Sequence, residues 1–291
     1  MSKIFTRTFR VRWSEVNVSG HVGLSSYLRY LVETAYDWAI VGGLGEADGS
    51  NPLGLLWLIR ETEFTFLQPL GYNESFDFTI WMVNWQRVRG VRSYEIVRKS
   101  DGAVVAQGTQ QIVSLDAATL RPINLPEHLI AYYQLEQPRE FPTQRFPKLP
   151  PAPASAQVTQ RVVEWADIDQ MEHVNNAVYL DYAEEAAAQD LATRGWGADA
   201  LKAQHLTVAP RRIHIQYQSP AVWGETLNIT TFPLSLHETG GSRCVSITRA
   251  ADGSAVADCI LEWEAFDRET GAPRPLPQEL ADSLQQDLPV G

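Results

Sequence analysis

Cysteine is nearly missing from this chain: Cys244 and Cys259 are the only two in 291 residues. That excludes a disulfide-stapled scaffold and a cysteine-rich metal site. The pair flanks Asp252-Gly253, a turn that would bring the two near each other across a hairpin. Two ordinary buried thiols are expected rather than a bridge, and neither has a histidine at a spacing that suggests a nucleophile. Positive charge is also scarce. There are 24 Lys and Arg against 35 Asp and Glu, a formal net charge of −11, which argues against non-specific nucleic-acid binding. No apolar run reaches the ~18 residues of a membrane span. The opening Met1-Ser2-Lys3-Ile4-Phe5-Thr6-Arg7 lacks the apolar core of a signal peptide. A cytoplasmic protein without membrane contact is the expectation. A glycine-rich phosphate loop, a Gly-x-Ser-x-Gly elbow and a histidine pair at metal-ligand spacing are all missing. No metal and no cofactor are therefore expected.

What the chain does contain is a repetition. Trp13-Ser14-Glu15-Val16-Asn17-Val18-Ser19-Gly20-His21 aligns without a gap on Trp165-Ala166-Asp167-Ile168-Asp169-Gln170-Met171-Glu172-His173, at an offset of 152 residues. Tyr27, Leu28, Tyr30 and Glu33 then match Tyr179, Leu180, Tyr182 and Glu185, and Gly43 and Gly45 match Gly195 and Gly197. The offset falls to 151 through Pro69 and Pro220, Glu74 and Glu225, and Asp101-Gly102 and Asp252-Gly253. A fixed offset over this length indicates duplication. The expected division is a module at 1–138, a proline-rich extended linker at 139–157 and a second module at 158–291.

Each module reads as strand, loop, long helix and several strands. Phe5, Phe9, Val11 and Trp13 alternate with Thr6, Thr8, Arg10 and Arg12, the period of a strand. The matching stretch near Val158–Trp165 alternates less cleanly and suggests a bulge. The first helix is expected to start near Ser25 or Ser26, with Tyr27, Tyr30, Leu31, Thr34, Ala35 and Trp38 on one face. The second is expected to start near Asn175 or Asn176, with Tyr179, Tyr182, Ala183, Ala186 and Ala187 inward. The two Asp-Gly pairs predict hairpin turns. One helix with about five antiparallel strands implies an α+β fold, a curved antiparallel sheet wrapped around a single helix.

The second motif, continued through Val174-Asn175-Asn176-Ala177-Val178-Tyr179-Leu180, resembles that of hotdog-fold acyl thioesterases of the 4-hydroxybenzoyl-CoA thioesterase type. The closing Thr270-Gly271-Ala272-Pro273-Arg274-Pro275-Leu276-Pro277 resembles that family's last-strand exit. Two such modules in one chain are similar to the tandem-hotdog acyl-ACP thioesterases. The resemblance implies hydrolysis of fatty acyl thioesters, with acyl carrier protein or acyl-CoA as partner. It also implies that Asp169 is the catalytic carboxylate, joined by His173 and Asn175, with Asn176 at the substrate; a loop or capping role for Asp169 and a helix-capping role for the two asparagines stay open. Met171 stands where the plant-type enzymes carry asparagine, and Glu172 where the family usually has glycine. Tyr217-Gln218-Ser219-Pro220 holds no counterpart of their glutamate.

Thioester hydrolysis needs a carboxylate that attacks or activates water, donors for the oxyanion, and a dry acyl channel. Asp169 suits the first task. The first-turn amides at Ala177 and Val178 suit the second, because they lack intrahelical partners and sit at the positive end of the helix dipole. His173 equally suits a packing role, since His21 persists in the first module. Asp167, matching Glu15, and the paired Glu33 and Glu185 read as structural. Asn17 replaces the aspartate in the first module, which is expected to be inactive and to shape the acyl pocket. Arg87-Val88-Arg89-Gly90-Val91-Arg92 is the densest basic run. Its three arginines are candidates for the phosphates of coenzyme A or the acidic surface of a carrier protein. A non-catalytic acyl binder and, at lower rank, a hydratase or dehydratase on the same fold stay open, as do a monomer with paired modules and a homodimer.

Overall fold

The computed structural model describes residues 3–44 and 53–289, so Gly45 of the repeat lies outside the described residues. The chain divides into two compact units, Met1–Gln144 and Arg145–Gly291. The division falls inside the proline-rich segment 139–157.

The first unit comprises β1 (Ile4–Arg10), α1 (Leu24–Val41), β2 (Leu55–Phe66), β3 (Ser75–Gln86), β4 (Arg89–Arg98), β5 (Val104–Asp116) and α2 (Glu127–Tyr133). Its five strands are antiparallel in the order β1-β3-β4-β5-β2. The second unit comprises β6 (Gln157–Val162), α3 (Val178–Thr193), α4 (Ala198–Ala203), β7 (Leu206–Tyr217), β8 (Thr226–His237), β9 (Gly240–Arg249), β10 (Ala255–Asp267) and α5 (Gln278–Gln285). Its sheet runs β6-β8-β9-β10-β7, also antiparallel, which is the same connectivity.

Side-chain alternation explains how helix and sheet meet. Phe76, Phe78 and Ile80 of β3 are fully buried, while Ser75, Asp77 and Thr79 between them are half-buried. Tyr27, Tyr30, Leu31, Thr34, Ala35 and Trp38 form the buried stripe of α1. Each large apolar side chain buried this way contributes roughly 1.5–3 kcal/mol of transfer free energy. The first interior is aromatic: Phe64 meets Tyr94 at 4.7 Å and Trp38 meets Tyr133 at 4.7 Å between ring centres. In α3 the stripe is Tyr179, Tyr182, Ala183 and Ala186, with Asp190 buried in line and Ala187 only half-buried.

Several local expectations are corrected. α1 begins at Leu24 with Gly23 as its N-cap, and Ser25 and Ser26 are buried in its first turn. α3 begins at Val178 with Ala177 as N-cap, later than Asn175 or Asn176. The run from β1 leaves its strand after Arg10, so Val11 is buried but Trp13 turns out to 76% exposure and rests edge-on against Tyr72. Trp165 and Trp223 repeat that pair in the second unit. β6 pairs with β8 in unbroken register, without a bulge. In each Asp-Gly turn only the glycine is left-handed (Gly102 φ +70°, Gly253 φ +72°). The aspartate accepts an amide two residues on instead, from Ala103 or Ser254.

Cys244 lies opposite Ile260, and Cys259 opposite Val245. Facing residues share a face and neighbours alternate, so the two thiols sit on opposite faces of the sheet. Both are free and buried. The linker is anchored at both ends. Trp81 donates to the Arg139 carbonyl at 2.7 Å, Arg139 pairs with Glu95, and Phe146 packs on His214.

Candidate active site

The loop before each long helix is built from one set of backbone hydrogen bonds. In the second unit the Asp169 amide donates to the His173 carbonyl (3.1 Å), Glu172 to Asp169 (3.0 Å), Val174 to Ala221 (2.9 Å), Asn175 to Asp167 (2.9 Å) and Val178 to Asn175 (2.9 Å). In the first, the equivalent donors are Asn17 to His21, Gly20 to Asn17, Val22 to Leu70, Gly23 to Glu15 and Ser26 to Gly23. A carboxylate braces each loop from behind. Tyr182 and the Glu164 amide donate to Asp167, and Tyr30 and the Arg12 amide donate to Glu15. The position before each histidine is left-handed, with Gly20 at φ +85° and Glu172 at φ +61°. A residue with a Cβ loses about 1 kcal/mol there.

On this shared frame the second unit mounts a different set of side chains. Asp169 is half-buried. Its Oδ1 accepts the Met171 amide at 2.8 Å, and its Oδ2 accepts Nδ2 of Asn175 at 3.2 Å. Oδ1 of Asn175 then accepts the Ala177 amide at 2.9 Å. A carboxylate offers about four lone-pair sites, so Asp169 retains capacity for a water or a substrate contact.

Two expectations change here. The Ala177 and Val178 amides are both taken, by the side chain and the carbonyl of Asn175. The expected oxyanion donors are therefore occupied, because an asparagine two residues before an N–H competes for it locally. Among the described residues, the amides near the helix start without a hydrogen-bond partner are those of Asn176, just before the N-cap, and of Tyr179 in the first turn. The ring of His173 contacts the Val174 carbonyl (3.2 Å), and among the described residues no hydrogen bond joins it to Asp169.

The basic run divides. Arg87 (φ +55°) and Arg89 are exposed at the β3–β4 hairpin. Arg92 is 4% exposed and donates to Gln110 from Nε (2.8 Å) and Nη2. Burial draws its guanidinium down to about 10. Positions three apart on a strand face opposite ways, so Arg92 cannot join Arg89 on the surface. A groove of about 310 Å³ beside Arg89 is lined also by Arg60, Glu61, Gln86 and Gln111.

The thioesterase-like family model matches residues 11–133 and 163–284. The chain belongs to the thioesterase-like superfamily. Both repeats of this thioesterase-like chain are matched, including the half without the aspartate. It is 31% identical over 128 residues to the long-chain acyl-CoA thioesterase FadM of Escherichia coli, covering 44% of this chain and 96% of that protein. It is 21% identical over 274 residues to the chloroplastic palmitoyl-acyl carrier protein thioesterase of Arabidopsis thaliana, covering 90% of this chain and 64% of that one. The 12:0-ACP thioesterase of Umbellularia californica shares its fold, with a TM-score of 0.73 at 17% identity over 91% of this chain and 98% of that one. So does an acyl-ACP thioesterase from Bacteroides thetaiotaomicron, at 0.69 and 20% identity over 91% and 100%.

Two tyrosines, to which the sequence assigns no site role, also brace the candidate site of this thioesterase-like chain. Tyr217 donates to the Asn176 carbonyl at 3.0 Å, and Tyr179 accepts the Ala221 amide at 3.0 Å. Burial raises both phenols, Tyr179 to about 12. The available signal for Tyr217 is a difference between repeats, since Phe66 holds its place in the first.

Proposed function

We propose that the chain hydrolyses fatty acyl thioesters to free acid and thiol, with Asp169 as general base or nucleophile. The observation that carries this is the Asp169 carboxylate, fixed by the Asn175 side chain and the Met171 amide beside the start of α3. The unpartnered amide of Tyr179 lies in the first turn of α3, at the positive end of the helix dipole, which favours developing negative charge. In this reading each unit is a hotdog module, its sheet curving round the long helix, and the first unit contributes to acyl binding rather than chemistry.

Coenzyme A and acyl carrier protein are the carriers in the names of the relatives, and we extend both to this chain. Arg87 and Arg89, with Arg60 in the adjoining groove, have no ion-pair partner among the described residues and suit an anionic carrier. Arg92 is not part of that surface. The reducing cytoplasm suits the two free thiols.

Asp169→Ala is expected to lower kcat by about 10²–10⁴, read as thiol release from acyl-CoA and acyl-ACP across chain lengths. Full turnover in that variant would remove Asp169 from the chemistry. Tight acyl binding without thiol release by the unmodified protein would select a non-catalytic binder instead.

A further inference from the structure

We propose that Tyr217 is a positioning residue for Asp169, acting through the 176–177 peptide and the side chain of Asn175. This rests on the reading of Asp169 as the reactive carboxylate. The connection is continuous. Tyr217 donates its hydroxyl to the Asn176 carbonyl at 3.0 Å. The same peptide plane carries the Ala177 N–H, which donates to Oδ1 of Asn175 at 2.9 Å. Nδ2 of Asn175 donates to Oδ2 of Asp169 at 3.2 Å. A peptide held at both its oxygen and its nitrogen cannot rotate. Donation to its carbonyl also strengthens the hydrogen bond that its own N–H makes.

The far end of the chain is anchored in the sheet. Tyr217 closes β7, is 8% exposed, and packs against Tyr179 with ring centres 5.8 Å apart. Its phenol stays protonated because burial disfavours the phenolate, so it is a permanent donor.

The first unit supplies a control within the molecule. It keeps the loop's backbone hydrogen bonds, yet all three side chains of the chain differ: Phe66 stands for Tyr217, Gly23 for Asn175 and Asn17 for Asp169. The loop and helix start thus form without the relay. What the relay adds is a fixed direction for one carboxylate.

The test is a double-mutant cycle in the full chain, read by thiol release. Tyr217→Phe keeps the ring and removes one donor, and is expected to lower kcat about tenfold with KM little changed. Asn175→Ala cuts the relay at its centre. The double variant is expected to be no slower than Asn175→Ala alone, because a broken chain cannot be broken again. Effects that multiply would overturn the relay, as would full kcat in Tyr217→Phe alongside an inactive Asp169→Ala. That last pair of results leaves the thioesterase reading standing. Full activity in Asp169→Ala removes both. Hydrogen exchange gives a readout independent of turnover: the Ala177 amide is expected to exchange faster in Tyr217→Phe while the rest of α3 is unchanged. Uniform acceleration across the helix would instead mark a structural role and overturn the proposal.

Discussion

In the first unit the loop before the long helix closes on Asn17, whose Oδ1 accepts the Ser19 amide at 3.0 Å; in the second it closes on Asp169, whose Oδ1 accepts the Met171 amide at 2.8 Å. An amide oxygen and a carboxylate oxygen do the same structural work. The loop does not require an acid, so the acid in the second unit is free for another task. Glu15 and Asp167 teach the converse: both units retain a carboxylate there, under a tyrosine hydroxyl and a backbone amide, where structure does require one.

The interiors differ in a second way. Arg243 of β9 and Arg92 of β4 occupy equivalent places. Arg243 pairs with Asp190 at 2.6 Å, and Asp190 also takes a forked contact from Arg194. Arg194 reaches Asp287 and the Ser283 carbonyl, tying α5 to α3. In the first unit Trp38 replaces Asp190, and Arg92 is answered by Gln110, itself braced on Thr62. One unit neutralises its buried arginine with a carboxylate; the other, among the described residues, leaves the charge unpaired and satisfies its donors through an amide oxygen among aromatic rings.

The largest break in the comparison is chemical. Moving the acid to the first unit, as Asn17→Asp in the Asp169→Ala background, is expected to restore nothing against a loss of about 10²–10⁴, because Gly23 and Phe66 supply no relay. Recovered thiol release would show that the two loops are interchangeable. Next, Asp190→Ala strands Arg243 and is expected to cost about 3–5 kcal/mol in urea unfolding of the second unit. A change near zero would mean that the network is solvated. Burial pushes the Asp190 carboxyl upward, and hydrogen bonds from Arg194 with the charge of Arg243 more than reverse this, leaving it below its ordinary 3.8. A depressed carboxylate stabilises the fold above its unfolded value, and that stability disappears as pH falls through the folded one. Asp190→Asn is therefore expected to flatten the pH dependence of the second unit's stability below about pH 4.

A finer pair sharpens the likeness. Tyr30→Phe and Tyr182→Phe are each expected to cost about 2 kcal/mol, since each removes the hydroxyl from a bracing carboxylate. Clearly unequal losses would show that the two braces are not equivalent. The smallest effect is Glu172→Gly, expected to raise the urea midpoint by the equivalent of about 1 kcal/mol without changing the slope. Gly20→Ala at the matching place is expected to lower it.

The duplication was legible because turn residues and aromatic helix positions persist at one spacing, even where the chemistry does not. The strands of β3 were legible through Phe76, Phe78 and Ile80. Arg92 is not legible as a buried residue, because linear density of charge ignores the two faces of a strand. The occupancy of the Ala177 and Val178 amides is not legible, because the helix alone leaves those N–H groups orphaned and only the folded loop brings Asn175 to them. Asp190 looks like a solvated residue until its two arginines, 4 and 53 positions away, converge on it. Tyr217 shows its meaning only beside Phe66.

The placement of the two thiols gives the molecule its own stopwatch. Cys244 and Cys259 are each 1% exposed, belong to the same unit and point to opposite sides of its sheet. Burial lifts the Cys244 sulfhydryl to about 12 and Cys259 well above its ordinary value. An alkylating reagent should therefore find neither until β9 and β10 separate. The rate at which the reagent is consumed then times the opening of the C-terminal half alone, while the N-terminal half, with no cysteine to label, stays silent.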